Sequence, residues 1–187
     1  MLPIVIAPSP ILSQKAKRII KIDKPLQNLI QEMSETLINA KDPEGVGLAA
    51  PQVGKPLQLF IVRQTDQSPI QVFINPVIEK VTETKTAENG KTKPQANKKS
   101  VKLEGCLSLV NIWGVVRRSN TVFLSYLDPQ GIFHRKNFTG FIATIIQHEV
   151  DHLNGVLFPK RVLEQHGKLY KSSKDEKNEM VFEEISI

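Results

Sequence analysis

The chain has 187 residues, 40% of them hydrophobic and 24% charged, which is one domain's worth of globular protein and excludes a disordered or fibrous chain. A single cysteine, Cys106, excludes an internal disulfide framework, and no apolar run approaches the roughly 18 residues of a membrane-spanning helix. The formal charge of +6 points to an acidic partner, but seven lysines and two glutamates fall within residues 80–102, so the remainder is nearly neutral at 18 basic against 17 acidic side chains.

Met1-Leu2-Pro3-Ile4-Val5-Ile6 has no basic residue ahead of its apolar stretch, a poor secretory signal, so a cytoplasmic protein with no membrane attachment is expected. Asp23 is a candidate N-cap with Pro25 just inside it, and Leu26, Leu29, Ile30, Met33, Leu37 and Ile38 follow helical spacing. The spacing predicts a helix to about Ala40, stopped by Asp42-Pro43. Gly45-Val46-Gly47-Leu48-Ala49-Ala50-Pro51-Gln52 is too rich in Gly and Pro for a regular element. Strands are predicted over 57–62 and 70–81. Residues 80–102 follow, an exposed insertion whose only aliphatic residues between Thr82 and Ser100 are Ala87 and Ala96. No aromatic side chain interleaves with its lysines, so a stacking platform for single-stranded nucleic acid is missing and no sequence-specific nucleic-acid binding is expected. Further strands are predicted at Val115-Val116, 121–127 and 132–138, the last two joined by the turn Asp128-Pro129-Gln130-Gly131. Thr139 is the candidate cap of a second helix over 140–154, closed by Gly155 and apolar nearly all round its first half, as a buried helix is. Residues 163–187 read as a charged C-terminal helix or tail. With no repeat and no second hydrophobic unit, 1–187 reads as a single catalytic domain of the α+β class, antiparallel strands packed around a central buried helix.

That buried helix carries His148-Glu149-Val150-Asp151-His152. Residues four apart share a helix face, so both imidazoles can reach one metal ion and Glu149 a water beside it. Two histidines and two acids on an apolar helix are costly to bury without partners, which favours a site over surface histidines. His134 and His166 lack such spacing. A third ligand is still needed. Position 158, where an extended zinc-protease pattern needs histidine, is Phe158; Glu176 lies at a suitable distance downstream; Cys106, in Glu104-Gly105-Cys106-Leu107-Ser108, offers a thiolate. The residues alone leave the choice between them open, with a buried inert thiol as the alternative for Cys106.

Three blocks, residues 45–52, 104–108 and 147–155 (Gln147-His148-Glu149-Val150-Asp151-His152-Leu153-Asn154-Gly155), stand in the order of the peptide deformylases, and the chain resembles that family from about Ile4 to Lys160. The resemblance implies a metal-dependent hydrolase that removes the N-terminal formyl group from the formyl-methionine of newly made polypeptides and releases formate. It implies Cys106, His148 and His152 as metal ligands and Glu149 as the acid/base. The implied cofactor is one divalent ion, Fe2+ in the cell, with Zn2+, Ni2+ or Co2+ in purified protein. Gln52 and the N–H of Leu107 are the implied donors to the developing oxyanion. Gly45, Val46 and Gly47 would lie beside the substrate backbone. Val46, Leu107, Trp113, Phe141, Ile145 and His148 would wall the methionine pocket, with Glu104 and Gly105 beside them; for Phe141 and Ile145 the alternative is plain core packing. Glu104 and Arg118 are a candidate buried ion pair that fixes the cysteine segment.

The chain departs from the family where most members have proline two residues after the Cys-Leu-Ser block (here Leu109-Val110) and where many have a basic side chain (here Trp113). The implied partners are nascent formyl-methionyl polypeptides and, through the C-terminal segment, the ribosome, although residues 160–187 carry six basic and six acidic side chains and so no net charge. Two competing readings are a His-Glu-x-x-His protease with Glu176 as third ligand, and a metal-stabilised binding module whose site is closed by a fourth protein ligand.

Overall fold

A computed structural model describes residues 1–41, 44–82, 103–175 and 179–186 of the chain. The first predicted helix is α1 (Lys24–Asn39), with the Asp23 side chain accepting from the Leu26 N–H at 3.1 Å as its N-cap. The Gly- and Pro-rich block contains more regular structure than its composition suggests: β1 (Gly47–Ala49) and a 3-10 turn over Ala50–Val53. Then come β2 (Leu59–Val62) and β3 (Gln71–Thr82), the latter running through Lys80 and Val81. The rest of the expected lysine-rich insertion, 83–102, lies outside the described residues, as does Glu176. On the far side are β4 (Glu104–Cys106), β5 (Leu109–Gly114), β6 (Thr121–Leu127), β7 (Phe133–Thr139), α2 (Phe141–Leu153), α3 (Phe158–Glu164), β8 (Leu169–Lys174) and β9 (Met180–Glu184).

Two antiparallel sheets form, β1-β2-β3-β6-β7 and β4-β5-β8-β9. Burial explains the first. Alternate residues of a strand face opposite sides, and β2 has both sides covered. Phe60 and Val62 pack with Phe73, Val122, Leu124 and the α2 residues Ala143, Ile145 and Ile146. Leu59 and Ile61 pack with Leu26, Leu29, Met33 and Leu37 of α1. The sheet is therefore a layer between two helices, with α2 on its inner face. A smaller core joins Cys106 to Phe158, Val162 and Leu169, so α3 and the second sheet close around the cysteine.

Four local expectations are corrected. Thr139 does not cap α2; it ends β7, and the cap is Gly140, at φ 71° with no side-chain hydrogen bond. Val115 and Val116 lie past the end of β5 rather than in a strand. The irregular reading of 45–52 gives way to β1 and its 3-10 turn, because β1 pairs with β2 from Gly47↔Val62 to Ala49↔Phe60. The C-terminal helix is instead α3 followed by the β8–β9 hairpin, which pairs onto β5 through Ile112↔Lys171, Trp113↔Tyr170 and Gly114↔Leu169. No local propensity announces that pairing; it is a tertiary contact that overrides a helix-compatible charged sequence.

Candidate metal centre and substrate cleft

The cleft lies between two sheet edges. Among the described residues β1 pairs only with β2, and β4 only with β5, so each offers a free edge. A cavity of about 310 Å³ is lined by Glu44–Gly47 beside β1, by Leu103–Leu107 along β4, by Gln52 and Trp113, and by Phe141, Thr144, Ile145, His148 and Glu149 of α2. All six expected wall residues line it. Phe141 is half exposed rather than packed in the core, whereas Ile145 is buried. Glu44, Leu103 and Thr144 also line the cavity, and no motif signalled them.

At its floor one ligand atom from each of Cys106, His148 and His152 lies within 4.8 Å of the other two. Helix periodicity delivers the two histidines, with ring centroids 5.0 Å apart. The pairing of β4 with β5 slips after Gly105↔Trp113 to Cys106↔Leu109, and such a bulge re-aims the side chain it carries. Cys106 Sγ thereby lies 3.2 Å from His152 Nε2. Phe158, where a histidine was conceivable, is buried and stacks on His148 at 6.1 Å, closing that side of the site with hydrocarbon.

A buried thiol facing one buried and one partly buried imidazole suits zinc or ferrous iron, both of which accept mixed sulfur and nitrogen donors. Two buried atoms have no hydrogen-bond partner among the described residues, Glu149 Oε2 and His152 Nδ1. Orphaned polar groups in so dry a place are expensive unless something else satisfies them, and the donor set fits a divalent ion with a water beside Glu149. Burial raises the Glu149 carboxyl to about 7, against the pull of His148 and Arg118. Burial also pushes His152 well down. It works the same way on His148, but there the hydrogen bonds with Cys106 and Glu104 prevail and raise it.

The surrounding shell is ionic and largely buried. His148 Nδ1 donates to Glu104 Oε2 at 3.1 Å, which leaves the lone pair on Nε2 to face a metal ion. Arg118 grips Glu104 through Nε at 2.9 Å and Nη2 at 3.0 Å, the expected ion pair, and donates from Nη1 to Asp151 at 2.6 Å. Asp151 also accepts from Arg161 of α3, at 2.7 Å from Nη2. The roles of Asp151 and Arg161 were not foreseen, although an acid inside a buried helical motif was itself a signal that a cation faces it. Burial alone raises the Glu104 carboxyl, but His148 and Arg118 overcome it and hold it below the ordinary range.

Gln52 is buried and oriented. Its Oε1 accepts from the Ala49 N–H at 2.8 Å, so its Nε2 points to Ser108 Oγ at 3.2 Å and Cys106 Sγ at 3.5 Å. Gly47 is held against Glu149, since a Cβ there would collide with the Glu149 carboxylate and lie 2.8 Å from Ile145 Cγ2. His134 is apart from the site, paired with Asp128 at 2.7 Å and stacked on Tyr126.

The sequence model of the polypeptide deformylase family matches residues 1–168. A peptide deformylase of Mesorhizobium japonicum is 38% identical over 159 residues, 83% of this chain and 81% of the relative. One of Dehalococcoides mccartyi is 37% identical over 169 residues, 90% of each. Among solved structures, a peptide deformylase from Synechococcus elongatus in complex with actinonin superposes with TM-score 0.72 at 36% identity, over 86% of this chain and 79% of that one. The Thermotoga maritima peptide deformylase superposes with TM-score 0.70 at 33% identity, over 86% and 97%.

Proposed function

From the premise that the chain belongs to the polypeptide deformylase family, we propose that Cys106, His148 and His152 hold its metal ion and that Glu149 is its acid/base. The protein is a metal-dependent hydrolase that removes the N-terminal formyl group from nascent polypeptides. The observation that carries the assignment is the cluster of one thiol and two imidazoles within 4.8 Å, beside a buried carboxylate oxygen that has no hydrogen-bond partner among the described residues.

A divalent ion held by these three side chains supplies Lewis acidity, making water nucleophilic near neutral pH and polarising a carbonyl. Glu149 takes the proton of the attacking water at Oε2 and delivers it to the departing amine nitrogen as the formyl C–N bond breaks. The products are formate and a free N-terminal amine. Gln52 Nε2 and the Leu107 N–H donate to the oxygen on which negative charge develops. Glu104 fixes the ring of His148, and Arg118 fixes Glu104. The substrate chain lies extended between the β1 and β4 edges, its backbone beside Gly45, Val46, Gly47 and Gly105. Its first side chain meets Val46, Leu107, Trp113, Phe141 and Ile145.

The ion in the cell is Fe2+; the donor set suits it, and an iron–thiolate pair is sensitive to oxygen. Anaerobically isolated protein is expected to hold one iron per chain and to lose activity in air, and Cys106→Ala to hold none. Cys106→Ala that keeps its metal contradicts the ligand set and favours a protease-like site. The enzyme works in the cytoplasm, as a single catalytic domain, on chains emerging from the ribosome. Among the described residues no helix is long and apolar enough to cross a membrane. Salt-sensitive co-sedimentation with ribosomes is expected, and its absence at low salt contradicts docking.

A further inference from the structure

Trp113 is the chain's sole tryptophan. It lines the cleft, yet its contacts away from the cleft come from the C-terminal hairpin, and the family match stops at residue 168, just before β8. We propose that the β8–β9 hairpin is a positioning element for substrate selection: Ser172 and Phe182 hold the Trp113 ring and so set the width of the pocket that receives the first side chain of the formyl-peptide. This rests on the reading of the cavity as the substrate pocket.

Three independent contacts carry it. The Trp113 Nε1–H donates to Ser172 Oγ at 2.9 Å, and that serine is 3% exposed, so the bond is shielded from water. The ring of Phe182 meets the indole edge-on, at 5.9 Å between centroids and 88° between planes. Ser172 and Phe182 face each other in the β8–β9 register, so one rung of the hairpin holds both the polar and the apolar part of the indole. On the opposite side the ring lies against β4. A Cβ on Gly105 would be 2.7 Å from Trp113 Cζ3 and 3.0 Å from Cη2. Gly105 immediately precedes Cys106 and lines the same cavity. The indole is therefore clamped between the hairpin and the backbone beside the metal site. Neither Ser172 nor Phe182 lines the cavity; both act through Trp113.

The test compares kcat and KM for formyl-Met-Ala-Ser and formyl-Phe-Ala-Ser in metal-loaded wild type, Ser172→Ala, Phe182→Ala and Trp113→Ala, with Ser172→Thr and Phe182→Tyr as conservative controls. In Ser172→Ala and Phe182→Ala the preference for Met over Phe is expected to fall about tenfold, mainly through KM, as for a loosened apolar pocket. The conservative variants restore the preference. Because Trp113 is the only tryptophan, its emission reports the clamp directly: it moves to the red and is quenched more readily by acrylamide in both alanine variants. Ser172→Ala removes one hydroxyl, so the result stands even if Phe182→Ala fails to fold. Unchanged preference and emission in Ser172→Ala and Phe182→Ala, with altered preference in Trp113→Ala, overturns the hairpin's role and leaves the pocket reading intact. Unchanged preference in Trp113→Ala overturns both. Metal loss from Ser172→Ala also overturns the proposal, since the hairpin would then act on Cys106 rather than on the indole.

Discussion

Arg118 shows how much of the site depends on one side chain outside the substrate cavity. Its side chain is 8% exposed, and it bridges Glu104, the partner of His148, to Asp151 on α2. Removing it leaves Glu104 facing only the His148 imidazole and Asp151 only Arg161, and breaking a largely buried ion pair costs about 3–5 kcal/mol. Arg118→Ala is therefore expected to lose about that much stability in urea denaturation, whereas Arg135→Ala, which removes the more exposed Arg135–Glu79 pair, changes little. Equal, small losses in the two variants contradict the structural role given to Arg118. The sequence made the two histidines and Glu149 legible, because their spacing is periodic on an apolar helix, whereas Cys106 is singled out among the candidate third ligands only by the family resemblance. The sequence hid Asp151's partner Arg161 and the contact of Gln52 with Ser108, since both depend on elements distant in the chain meeting in space.

At the level of elements, legibility followed locality. β6 and the turn after it agree with the sequence pattern because Asp128 organises the turn by itself. Its Oδ1 accepts from the Gln130 and Ile132 N–H groups, each at 2.9 Å, and its Oδ2 meets His134 Nε2 at 2.7 Å. The bond to His134 is the main reason the Asp128 carboxyl titrates below its ordinary 3.8, with the Ile132 and Gln130 N–H groups adding to it. A folded value below the unfolded one means stability that is present above 3.8 and lost as the pH falls through the lower folded value. The β6–β7 hairpin should therefore fray in acid, with a lower amide-exchange protection factor at Ile132 below that pH, and Asp128→Asn should remove the pH dependence of that protection. Pronounced acid sensitivity in Asp128→Asn contradicts this account. β1 and the β8–β9 hairpin were illegible for the opposite reason. Three residues, Gly47–Ala49, form a strand only because β2 lies beside them, and the charged C-terminal stretch forms strands only because β5 offers an edge.

Across the whole molecule, the two sheets meet at the candidate metal centre. Cys106 comes from the second sheet and the histidines from the helix packed on the first, so an ion held by all three ties the two halves together. The cleft between the β1 and β4 edges, each free among the described residues, is the consequence: on the reading proposed above, an extended chain would enter it by its N-terminus, with the first residue above the buried carboxylate. The net charge has little part in this, since Glu104, Arg118, Asp151 and Arg161 around the site pair with one another. The central claim is that Glu149 moves the proton in deformylation at a site made by Cys106, His148 and His152. It is tested most directly by measuring formate released from formyl-Met-Ala-Ser by anaerobically prepared protein loaded with Fe2+ or Ni2+, alongside Glu149→Gln with the same metal content. The account predicts rapid release by the wild type and a rate about 10²–10⁴-fold lower for Glu149→Gln. Formate release by Glu149→Gln at the wild-type rate, or none from the metal-loaded wild type, would contradict it.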